Sequence, residues 1–68
     1  MSRIAFVIAD LEREVRAIAP NGPAPEITLA PGTFRPVVEE LASHYGAPAA
    51  PGVTEYPVGR ILVRQGKP

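Results

Sequence analysis

A chain of 68 residues with no cysteine has no disulfide and no thiolate metal site to brace it. Its one histidine, His44, cannot form a metal site alone. A domain of this size buries only about 60% of the surface that its unfolded chain exposes. Small domains of this kind lean on a disulfide, a metal or a partner. By elimination, a partner subunit is the expected brace. A cysteine-free composition fits a reducing compartment. The expected location is the cytoplasm or an assembled particle.

The apolar share, 46%, is that of a globular chain rather than a disordered one. One small domain over residues 1–68 is expected, with residues 46–57 as an extended Pro/Ala-rich connection. No apolar run approaches the roughly 20 residues of a membrane span. The acids Asp10, Glu12 and Glu14 directly follow the first apolar patch, so that patch does not read as a signal peptide.

Residues 3–18 support two readings. Ile4, Ile8, Leu11, Val15 and Ile18 form a helical stripe, with Ser2 as N-cap and Pro20 beyond the end. Glu12 and Arg16 are an i,i+4 pair, and with Asp10 and Arg13 they belong on the solvated side. Alternatively, the β-branched and aromatic content of residues 3–9 makes a strand. Phe6 separates the two readings, because on a helix it lies about 160° from the centre of the stripe. A large aromatic on a polar face suggests a second contact surface.

Further along, Pro25 and Pro31 bracket a strand at 26–30. A helix then starts near Thr33 or Arg35, with Pro36 in its first turn and Gly46 at its end. Its stripe is Val37, Val38, Leu41, Ala42 and Tyr45. A last strand is expected at 58–64. It places Arg60, Leu62 and Arg64 on one face and buries Ile61 and Val63 on the other. The fold class is a small α+β (α/β) domain. It is α-β-α-β with a two-stranded sheet, or β-α-β-α-β with three strands if residues 3–9 form a strand. Either sheet leaves an edge open.

The stretch "EITLAPGTFRPVVEELASHYG" resembles the strand-then-helix of ubiquitin-like sulfur carriers. The Gly-Gly tail of that family is replaced here by Gln65-Gly66-Lys67-Pro68, so no carrier function is implied.

No motif specifies a reaction. Glu40 and His44 are within reach on one helix, but a general base needs a pocket and a substrate. The "APGTFRP" turn lacks the lysine and second glycine of a phosphate loop. No enzyme activity and no cofactor are therefore expected. The charge distribution is uneven at zero net charge: Arg60, Arg64 and Lys67 follow a segment with an excess of acids. With Tyr56, these cations could form a short nucleic-acid strip of weak, salt-sensitive affinity.

The leading expectation is a non-enzymatic protein–protein interaction or structural subunit of a homo-oligomer or larger assembly. A phage-type, viral or accessory-complex component would fit. The alternative is a small nucleic-acid-binding regulator. The expected contact residues are Phe6, Tyr56, Arg60, Leu62, Arg64 and Lys67, with the final strand offering its edge to the partner.

Overall fold

The computed structural model describes residues 1–67. It is a small α+β domain with two helices and a three-stranded mixed sheet: α1 (Arg3–Ile18), β1 (Glu26–Leu29), α2 (Pro31–Tyr45), β2 (Glu55–Val58) and β3 (Ile61–Gln65). The sheet order is β1-β3-β2, with β1 parallel and β2 antiparallel to β3.

Residues 3–18 form one helix. The Ser2 hydroxyl accepts a hydrogen bond from the Ala5 N–H at 3.3 Å, and the Ala19 N–H closes the other end on the Val15 carbonyl. The β-branched residues of its first half do not turn it into a strand, because tertiary packing overrides local propensity. The buried line of α1 is Ala5, Ile8 and Glu12. The expected stripe is thus rotated: Ile8 is inside, Leu11 and Val15 are half-buried, and Ile4 and Ile18 are exposed. α1 packs chiefly beside α2, while α2 packs on β3. The small Ala5 therefore turns toward the core.

α2 begins at Pro31, a turn earlier than Thr33 or Arg35. Pro31 needs no helical donor there, and the Ala30 carbonyl accepts from the N–H groups of Thr33 and Phe34 at 2.9 Å each. Pro36 consequently lies inside the helix, on its exposed side. There water can serve the carbonyl that its missing N–H leaves free. The earlier start brings Phe34 into line with Val37, Val38 and Leu41 as the buried face. Tyr45 is left outside. Gly46 ends the helix in the left-handed region, at φ 68°.

The C-terminal segment is a hairpin rather than a single strand. Gly59, at φ 57°, and Arg60 form its two-residue turn. Positive φ at the first central residue alone suits a type II′ connection. β2 takes residues 55–57 out of the expected connection and adds the third strand. Pro57 is tolerated because β2 is an edge strand. β3 lies at the centre of the sheet, so the final strand has no free edge to offer. The open edges belong to β1 and β2.

Both helices cover one sheet face. Ile27, Leu29, Tyr56, Val58, Ile61 and Val63 point into a core shared with Phe34, Val38 and Leu41. The other face carries Glu26, Thr28, Glu55, Pro57, Leu62 and Arg64.

Candidate interaction surface

The residues expected to act together at the C-terminus are dispersed. Tyr56 faces the core with 6% of its surface exposed, and its hydroxyl donates to the Ala47 carbonyl at 2.6 Å. It ties the 46–54 connection to the sheet and offers no ring for stacking. Arg60 lies in the hairpin turn, not on a strand face. Its guanidinium donates to the Ala19 and Gly22 carbonyls just beyond α1. Arg64 stands at the centre of the open sheet face, 3.3 Å from the Glu26 carboxylate and 2.8 Å from that of Glu55. One cation thus clamps both neighbouring strands, with two acids around it. Leu62 is half-buried, opposite Pro57 in the ladder, and Lys67 is exposed beyond β3. Arg60 and Arg64 lie at opposite ends of β3, so these residues make no continuous basic strip.

The helical pair Glu40 and His44 is not assembled as a proton relay. The Glu40 carboxylate accepts the Ser2 backbone N–H at 2.8 Å, which ties the start of α1 to α2. His44 meets Tyr45 edge to face, with ring centres 4.8 Å apart. Hydrogen bonds from Ser2 hold the Glu40 carboxyl below its ordinary pKa. A lowered native pKa stabilises the fold above the unfolded-state value, and this contribution is lost as pH falls through the native value. Urea midpoints across acidic pH should therefore drop less steeply for Glu40→Gln than for the wild type below about pH 4.3. The two curves should run parallel near neutrality. Identical acid slopes would remove Glu40 from the acid sensitivity.

The exposed large apolar residues concentrate on α1. Phe6 is 61% exposed, Val7 54% and Ile18 81%, with Ile4 and Met1 beside them. They fall into two areas. Phe6 borders a shallow groove of about 220 Å³ between α1 and α2, with Met1, Arg13, His44 and Tyr45 along it. Burial and the nearby Glu12 carboxylate push the Tyr45 phenol pKa up. Ile4, Val7, Leu11 and Ile18 form the other area, a seam along α1 at spacings of three, four and seven residues. Between the areas, Asp10 pairs with Arg13. Glu12 is 4% exposed and pairs with Arg16 at 3.2 Å. The i,i+4 relation of Glu12 and Arg16 is readable from spacing, but the burial of Glu12 against the hairpin turn is not.

The seam was present in the chain as an apolar periodicity. Periodicity says that a helix has an apolar side but not which neighbour covers it. No helix of the described residues is long and apolar enough to cross a membrane. No protein-family model matches the chain, and no curated protein or solved structure matches it significantly.

Proposed function

We propose that this chain is a non-enzymatic interaction subunit of a homo-oligomer or larger assembly, with α1 as its contact element. The carrying observation is that Met1, Ile4, Phe6, Val7 and Ile18 are all exposed on or next to one helix. Contiguous exposed apolar surface marks contact sites, and aromatic residues and methionine are enriched at interface cores. The size of the chain and its lack of a covalent brace support the same reading. A viral or phage-type particle, or an accessory complex, is a setting in which such a subunit would work.

The paired substitution Val7→Glu and Ile18→Glu tests this. Both sites are exposed, so folding should persist with little loss of stability. Association measured by light scattering and native mass spectrometry at micromolar concentration should weaken by at least about tenfold. Phe6→Ala should likewise leave stability within about 0.5 kcal/mol of the wild type. Unchanged association, with itself and with proteins of a cell extract, would sink the role of α1.

A further inference from the structure

We infer that the occupant of the α1 seam is a second copy of this chain, docked with the two α1 helices antiparallel. This deepens the functional reading above and rests on it.

Two charges orient the pair. Arg3 and Glu14 are exposed, and neither takes part in an ion pair among the described residues. Of the other charges on α1, Asp10, Glu12, Arg13 and Arg16 are all paired within the chain. At about 100° per residue, Arg3 and Glu14 fall on the same flank of the seam, about 16 Å apart along the axis. In an antiparallel pair related by a two-fold axis, like flanks face each other. Arg3 of each copy then lies opposite Glu14 of the other, and both unpaired charges are answered twice. A parallel pair would set this flank against the opposite flank of the other copy and leave both charges unanswered.

The same alignment matches the apolar residues. When Arg3 stands opposite Glu14 of the second copy, Val7 lies one residue out of register with Leu11 and Ile4 two residues out of register with Val15, about 1.5 and 3 Å along the axis. Ile18, the most exposed of the seam residues, then comes within two residues of the level of Met1 of the other copy. The register set by the charges thus interleaves the apolar residues of the two seams. A continuous apolar seam flanked by reciprocal charges is what a helix–helix contact in water requires. The groove beside Phe6 stays open on the other side of α1.

Charge reversal tests the geometry. In sedimentation equilibrium, Arg3→Glu alone and Glu14→Arg alone should each weaken the dimer by about tenfold. The double variant, with both charges exchanged, should return to within about threefold of the wild type. Circular dichroism checks that each variant is folded. Because the chain has no cysteine, Ile4→Cys gives a second, independent readout. Antiparallel pairing keeps the two copies of position 4 about 13.5 Å apart along the axis, too far for a disulfide. A dimer that Val7→Glu disrupts, but that shows no reciprocal rescue or that Ile4→Cys readily cross-links, overturns this alignment and leaves α1 as the contact element. A wild type that stays monomeric overturns the self-pairing. The wider reading then fails only if wild type and the Val7→Glu, Ile18→Glu variant capture the same proteins from extract.

Discussion

Phe34→Ala is expected to cost about 3–5 kcal/mol, as read from urea unfolding. Phe34 is fully buried and is the largest of the completely enclosed side chains. It lies at the start of α2, in a core shared by α2, α1 and the inner sheet face. At the usual 0.05–0.15 kcal/mol per residue, a domain of this length has only about 3–10 kcal/mol of total stability. The loss therefore consumes a large part of the fold, and the variant should be partly or wholly unfolded at room temperature. Cooperative unfolding at the wild-type midpoint would mean that Phe34 is not the centre of the core. Phe6 is the control. The two phenylalanines belong to the same residue type and have opposite environments, so their alanine variants should differ sharply in stability.

Gly59→Ala should be the second large effect, about 2–3 kcal/mol. Two terms contribute. The left-handed φ of 57° costs a residue with a Cβ about 1–2 kcal/mol. In addition, that Cβ would lie 2.8 Å from Glu12 Cδ and closer still to its Oε1. Glu12 is a flexible side chain, but it is almost wholly enclosed and held by Arg16. Yielding to the methyl group would force its carboxylate out of that position, at a cost of about 1 kcal/mol or more. A double-mutant cycle separates the terms. In a Glu12→Ala background, Gly59→Ala should cost only about 1–2 kcal/mol, the backbone part. Equal costs in the two backgrounds would show that the turn does not press on Glu12.

Both residues lie where local sequence rules admit more than one outcome. The stripe that the sequence predicts for α2 omits Phe34, because Pro36 fits the place of a first-turn proline. Proline is favoured at that position, but Pro31 satisfies the same rule one turn earlier, and only packing chooses between them. Gly59-Arg60 reads as strand from the sequence because the flanking Val58, Ile61, Leu62 and Val63 have β composition. A two-residue hairpin hides easily in such a run when its second residue is an arginine rather than asparagine or aspartate. Once the turn is made, Arg60 leaves the face of Arg64 and reaches the end of α1. The grouping of basic residues dissolves for that reason.

What the amino-acid sequence determined by itself is local. A helix over residues 11–18 follows from periodicity on either reading, whereas packing decided that residues 3–9 join it. The end of α2 follows from a glycine that alone accepts positive φ at no cost. The inward direction of Ile61 and Val63 follows from strand alternation. What only the tertiary structure decided is which sides of these elements meet. A helix with apolar residues over more than half its circumference can be rotated to bury either Ile4 and Ile18 or Ala5 and Glu12. Local energetics barely separate the two choices. Packing beside α2 buried the small residue and one paired acid. The larger apolar residues were left facing outward, and that choice created the surface on which the proposed function rests.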